Sequence, residues 1–272
     1  MKSKSDTLNI RIAEALARIR SERPLIHHIT NLVVMNDTAN VTLSVGALPV
    51  MAHAAEEAAE VAGRAAALVL NTGTPTPDRA KAMLIAGRAA NHLGIPVILD
   101  PVGAGTTALR RQVHARLLDE LHMAIIRGNA GEIGVLSGAG GELKGVESVG
   151  GPRDLAAVAR RMAGERDTVV AISGPRDVVS DGERVLGVDN GHVWLTKVTG
   201  TGCMATSIIA AFAAVERDYL LAAAGGLACF GLAAELAAEK AGGPASFKVA
   251  LLDQIYHLQP EQLAEGARLV EW

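Results

Sequence analysis

Short apolar runs alternate with amphipathic stretches along most of the chain. Leu8, Ile12, Leu16 and Ile19 recur at helical spacing, so they share one face of an opening helix that must stop before Pro24. The runs 25–29, 48–51, 67–70, 97–99, 124–126 and 169–172 are apolar and short, and read as strands. Helical patterns lie between them at 37–45, 55–62, 77–92, 107–121 and 152–163. Gly46 and Gly94 stand where C-cap glycines end two of these helices. Strands alternating with helices predict βαβ units, hence an α/β fold with a mostly parallel central sheet and helices on both faces.

The rhythm changes after Gly174. Residues 177–180, an Asp181-Gly182 turn and residues 184–188 read as a hairpin, with Asn190-Gly191 turning into a third strand at 192–197. This predicts a small antiparallel addition to the sheet. From Gly202 onward the chain reads almost entirely as helix, and the loop 138–151 is Gly-rich but short. No Pro/Ser-rich linker divides the pattern, so one domain is expected over residues 1–272.

Composition narrows the partners. Hydrophobic residues make up 49% of the 272, and the net charge is only -3, which excludes a disordered chain. Lys and Arg total 26 against 29 Asp and Glu, so no basic footprint points to nucleic acid. Aromatic residues are 3%, too few for base-stacking platforms. The longest apolar run, 219–234, falls short of the roughly 20 residues a membrane span needs and is mostly Ala and Gly. The start MKSKSDTLNI has no apolar signal-peptide core, and Cys203 and Cys229 form no disulfide framework. A cytoplasmic protein with no membrane partner is expected.

The densest chemical signal is Val198-Thr199-Gly200-Thr201-Gly202-Cys203, between a predicted strand and a helix without breakers. Its glycines let backbone approach a ligand, and the N–H groups opening the helix form an anion site. It is neither a Walker A loop nor a dinucleotide fingerprint. A helix start can lower the pKa of the Cys203 thiol, while adjacent phosphates would oppose that shift, so its charge stays open. Asp100 ends one apolar run, and Arg127-Gly128-Asn129-Ala130-Gly131-Glu132 follows another. Open parallel sheets bind ligands beyond the carboxyl ends of their strands. Two carboxylates there, beside an anion site, suit Mg2+ with substrate phosphates. Asn31 and Met51 are candidates to orient and pack a small organic substrate. His27 and His28 are adjacent on a strand and face opposite sides, which argues against shared metal ligation.

Taken together, HHITNLVVMN, GALPVMAH, VLNTGT, PVILDPVGAG, IIRGNAGEI and NGHVWLTKVTGTGC resemble the hydroxyethylthiazole kinases of thiamin salvage, in the ribokinase-like superfamily. The resemblance is close over residues 24–215 and looser in the helical tail. It implies ATP-dependent, Mg2+-assisted phosphorylation of the primary alcohol of 4-methyl-5-(2-hydroxyethyl)thiazole. It also implies a homotrimer with active sites between subunits. Carried over by position, Met51 and Gly200 would contact the thiazole, with Asn31 on the subunit-interface side of the pocket. Arg127 and Ser173 would contact ATP, with Asn129 beside them. Asn129 and Glu132 match the superfamily's N-x-x-E motif near metal and phosphate, with Asp100 adjacent. Gly200, Thr201, Gly202 and Cys203 would be the catalytic turn, Cys203 standing where most ribokinase-like kinases carry Asp. In this reading Cys203 orients the hydroxyl and accepts its proton late.

Other readings are a pyrimidine or pyridoxal kinase of the same superfamily, an ATP-dependent hydratase on the same fold, and a non-catalytic assembly protein. The first two would be expected to carry Asp at position 203. The last leaves Asp100, Arg127, Glu132 and the GTGC turn without a purpose. Trp194, Phe212, Phe230 and Tyr219 fall outside the motif segments, so a small heterocycle would be held by Met51, Val50, Asn31 and backbone.

Overall fold

The computed structural model describes residues 4–140, 142–144, 147–150 and 154–272. The opening helix α1 (Lys4–Glu22) leads into β1 (Leu25–Ile29), α2 (Met35–Val45), β2 (Leu48–Val50), α3 (Ala55–Ala62), β3 (Ala67–Asn71), α4 (Pro77–His92) and β4 (Val97–Asp100). Then come α5 (Ala108–Glu120), β5 (Ile125–Asn129), α6 (Ala130–Leu136), a β6–β7 hairpin (Glu142–Lys144, Glu147–Gly150), α7 (Leu155–Arg166) and β8 (Val169–Ser173). The chain closes with β9 (Asp177–Ser180), β10 (Val185–Val188), α8 (Thr201–Val215), α9 (Tyr219–Lys240), α10 (Pro244–His257), α11 (Pro260–Gly266) and β11 (Leu269–Glu271). Pro152, the predicted start of α7, lies outside the described residues, and the predicted loop 138–151 carries the β6–β7 hairpin.

Nine strands form one sheet in the order β11-β10-β9-β8-β5-β4-β3-β1-β2. Strands β1–β5 and β8 run parallel, and β9, β10 and β11 add antiparallel to one edge. The parallel strands are apolar throughout because both faces are covered. Ile26, Val69, Ile98 and Ile125 pack with α1, α2 and α8–α11, whereas Ile29, Leu70, Leu99 and Ile126 pack with α3–α7. Gly46 takes the left-handed conformation (φ +110°) as the C-cap of α2, and Gly94 (φ +67°) follows the last residue of α4 by two positions.

Two sequence expectations change. The third antiparallel strand at 192–197 is instead a 3-10 turn, Val193–Lys197, started by His192 accepting from the Trp194 N–H. The edge it would have joined is occupied by β11, whose Leu269 pairs with Val188. The second concerns the apolar run at 219–234. It lies inside the 22-residue α9, which is long and apolar enough to cross a membrane, yet 89% of that stretch is buried inside the molecule. Its Ala and Gly residues let α8 come close: a Cβ on Gly226 would sit 2.8 Å from the Ile209 Cα.

Candidate active site at the carboxyl ends of the strands

Alternating strand and helix bring every parallel strand's carboxyl end to one edge, and polar residues end the apolar runs there. Asn71, Asp100, Asn129 and Ser173 are the last residues of β3, β4, β5 and β8. Register sets Asn71 beside Asp100, and Asn129 beside Ser173. Met51 directly follows β2 at the sheet's outer edge, and Asn31 lies in the turn after β1.

The amino terminus of α8 faces this row. Gly200 is its N-cap at φ +87°, and a Cβ there would meet Val34 Cγ1 at 2.3 Å, so only glycine fits. A Cβ on Gly202 would lie 2.6 Å from Arg127 Nη1, which places the guanidinium against the first turn. No side chain caps the helix. Its opening N–H groups therefore lack helical acceptors and form an anion site. Thr201 Oγ1 donates to Leu195 O at 2.8 Å, so its hydroxyl braces the turn.

Cys203, in that first turn, is bound from across the sheet edge. Its Sγ accepts from Asn71 Nδ2 at 3.2 Å and lies 3.6 Å from Asn31 Nδ2. Burial, and next the Asp100 charge, push the thiol well above its ordinary range, against the lowering effect of Asn71, Arg127 and Asn31. Burial thus outweighs the helix start and favours the neutral thiol at Cys203.

Asp100 is buried, and its Oδ2 accepts from Asn71 Nδ2 (2.7 Å) and Thr206 Oγ1 (3.1 Å). Burial raises its pKa, opposed chiefly by Arg127. Glu132 completes a capping box at α6: its Oε2 accepts from Asn129 N at 2.9 Å, and Asn129 Oδ1 accepts from Glu132 N at 2.9 Å. Its Oε1 accepts from Gly103 N at 2.8 Å. Burial and then the Asp100 charge raise the Glu132 pKa to about 7. Arg127 donates through Nη2 to Ser173 Oγ at 2.8 Å, while its buried Nε has no partner among the described residues. A buried guanidinium with an open donor, against a helix start, is suited to an anionic ligand.

The structure therefore brings Asn31, Asp100, Arg127, Asn129, Glu132, Ser173 and the Gly200-Thr201-Gly202-Cys203 turn to one edge. The Asn31 carboxamide is fully engaged within the chain. Its Oδ1 accepts from Val33 N (3.0 Å) and Val34 N (3.2 Å), and its Nδ2 donates to Asn71 Oδ1 (2.9 Å). The two adjacent histidines turn apart: His27 Nε2 bonds Ala52 O (2.8 Å) and His28 Nε2 pairs with Thr42 Oγ1 (3.2 Å). Burial lowers the His28 pKa to about 3, so it is a neutral core residue.

Two members of the cluster, Asn71 and Thr206, were not singled out from the sequence. Asn71 carried a usable signal: like Asp100, it is a polar residue closing an apolar run. Thr206 sits one helical turn into α8 and carried none.

A sheet of this order, with a glycine-opened helix facing strand-end carboxylates and a buried arginine, is suited to hold a phosphorylated ligand at the strand ends. The fold recurs in an Enterococcus faecalis ribokinase-like superfamily protein (TM-score 0.61, 14% identity, 92% of this chain and 82% of that one). A family model described as the hydroxyethylthiazole kinase family matches residues 16–261, and the chain belongs to that family. It is 70% identical to a hydroxyethylthiazole kinase of Roseiflexus sp. (strain RS-1) over 266 residues, 98% of each chain. A solved hydroxyethylthiazole kinase from Pyrococcus horikoshii OT3 superposes with a TM-score of 0.89 at 43% identity, covering 96% of this chain and 99% of that one.

Proposed function

We propose that the chain transfers the γ-phosphoryl group of ATP to the hydroxyethyl group of 4-methyl-5-(2-hydroxyethyl)thiazole, as a cytoplasmic enzyme of thiamin salvage. The observation that carries the chemistry is the uncapped start of α8 at Gly200, with Arg127 against it and Cys203 in its first turn. Family membership carries the choice of substrate.

Asp100 and Glu132 fit Mg2+. Both are buried carboxyls whose charge is disfavoured by burial, with Glu132 further raised by Asp100; hydrogen bonds and the Arg127 charge oppose this without overcoming it. Mg2+ takes one or two carboxylates together with waters and substrate phosphates. A bound Mg2+ supplies positive charge to the phosphates and lets both carboxyls ionise. Because both Glu132 oxygens already accept backbone N–H bonds, Asp100 is the better placed of the two.

The chain's own residues do the rest. Arg127, braced by Ser173, directs its open Nε–H and its guanidinium charge at the ATP phosphates, with Asn129 alongside. The N–H groups of residues 201–203 receive the oxygens of the phosphoryl group in flight, and Gly200 leaves room for the alcohol. Phosphoryl transfer has a loose transition state, so holding the reactants in line contributes more than early proton removal. A neutral Cys203 cannot take up a proton, so its part is to orient the hydroxyl. The hydroxyl proton departs late, onto a phosphoryl oxygen and from there to water.

Met51 and Gly200 line the thiazole side. Asn31 shapes that side from behind, since its amide is already engaged. Leu32 and Val33, in the same turn, are 64% and 65% exposed. Apolar exposure beside an active site supports the homotrimer with intersubunit sites that the family resemblance implies.

The test is an ADP-release assay with Mg2+-ATP and three alcohols: the thiazole alcohol, hydroxymethylpyrimidine and pyridoxal. ADP should form fastest with the first. ADP release that no alcohol stimulates would overturn the reading.

A further inference from the structure

The contacts around Asn71 assign it a role that the strand-end pattern alone does not. The Gly73 backbone N–H, which can only donate, lies 3.0 Å from Asn71 Oδ1, and Asn31 Nδ2 donates to the same oxygen at 2.9 Å. This fixes the orientation of the amide, because the flipped form would set NH2 against two donors. Asn71 Nδ2 is therefore forced toward Asp100 Oδ2 (2.7 Å) and Cys203 Sγ (3.2 Å). One carboxamide thus ties together the turns after β1 and β3, the end of β4 and the first turn of α8. The packing leaves it little slack, since a Cβ on Gly73 would stand 2.7 Å from Asn31 Cβ.

A chemical consequence follows. The Asn31 and Asn71 amides are saturated by partners inside the chain, and the sulfur receives N–H bonds from both. Of these three side chains, only the thiol keeps a polar hydrogen that can turn elsewhere. We propose that Asn71 is a positioning residue of the phosphoryl-transfer step: it holds Cys203 in the one rotamer and hydrogen-bonding sense that can orient the substrate alcohol. The inference rests on the kinase reading and deepens it.

A double-mutant cycle tests the coupling. The wild type, Asn71→Ala, Cys203→Ala and the double variant are assayed for kcat and for KM of ATP and of the thiazole alcohol. Alone, Asn71→Ala should lower kcat by roughly 10–100-fold and leave the KM for ATP within about twofold, because Asn71 bonds none of Arg127, Asn129 and Ser173, and Asp100 Oδ2 keeps its bond from Thr206. In the Cys203→Ala background the same change should cost less than about threefold, since the residue it acts through is gone. An equal loss in both backgrounds, or a KM for ATP that rises as far as kcat falls, would overturn the proposal. If Asn71→Ala does not fold by circular dichroism, Asn71→Ser is carried through the same cycle under the same criteria. A wild-type chain with no alcohol-dependent turnover would overturn the kinase reading itself and this inference with it, whereas an active wild type with additive losses would overturn the inference alone.

Discussion

Cys203 stands under influences of opposite sign: a helix start and neighbouring N–H donors favour its thiolate, while burial and Asp100 oppose it. Burial prevails, and the same contest decides Glu132. Its folded pKa of about 7 lies above the ordinary 4.5, so the native state holds a proton that the unfolded chain has lost. That contribution to stability is fully present below pH 4.5 and disappears as pH rises through about 7. Without Mg2+, the melting temperature should therefore fall across that window, by several degrees for a contribution on the order of 3 kcal/mol. Glu132→Gln should flatten this dependence, and Mg2+-ATP should restore wild-type stability on the alkaline side. Calorimetry over the pH series checks it, and parallel curves for the two chains would assign the proton elsewhere. Which residues could be read at this scale follows from the kind of signal each carried. Asp100, Arg127 and Glu132 were legible because charge at a strand end is conspicuous. Asn71 carried the weaker signal of an uncharged residue closing an apolar run, and its role emerges only where several strand ends meet at one carboxamide.

At the scale of elements, local pattern identified the parallel half of the sheet well. Strands buried on both faces are apolar throughout, and the glycines ending α2 and α4 marked real boundaries. The antiparallel edge was harder. Residues 192–197 follow an Asn-Gly turn as a hairpin strand would, but the edge of β10 is claimed by β11, roughly eighty positions onward, so the segment coils into a 3-10 turn. No local pattern can announce a competitor so distant in sequence. The α8–α9 contact follows from the Ala/Gly wealth and gives a sharp prediction. Gly226→Val drives a side chain into the Ile209 backbone, 2.8 Å from its Cα. Overpacking of this kind typically costs about 1–3 kcal/mol. Thermal melts should show a loss of several degrees, and kcat of the folded enzyme should stay near that of the wild type, because Gly226 lies away from the strand ends. An unchanged melting temperature would mean the helices have room to part.

The whole molecule is aliphatic, with only 3% aromatic residues, and its rings mostly lie in the helical half. Trp194 stacks edge-on with Phe247 and His192 instead of walling the strand ends, and Phe212 is buried within α8. A small heterocycle would accordingly be selected by pocket shape, and in the trimer proposed above a neighbouring subunit would complete the pocket against Leu32 and Val33. Light scattering should give three times the chain mass of 28.1 kDa, and replacing both residues by Ser should weaken assembly and turnover together. A monomer with full activity would remove the shared site. In the proposed reaction the start of α8 receives the phosphoryl group on its way to the thiazole alcohol. The most direct measurement follows γ-labelled ATP in the wild type and in Gly200→Ala, whose added methyl would meet Val34 at 2.3 Å. Label should pass to the alcohol in the wild type and fall by at least about 100-fold in the variant. Label passing to water, or reaching the alcohol equally in both chains, would contradict that transfer.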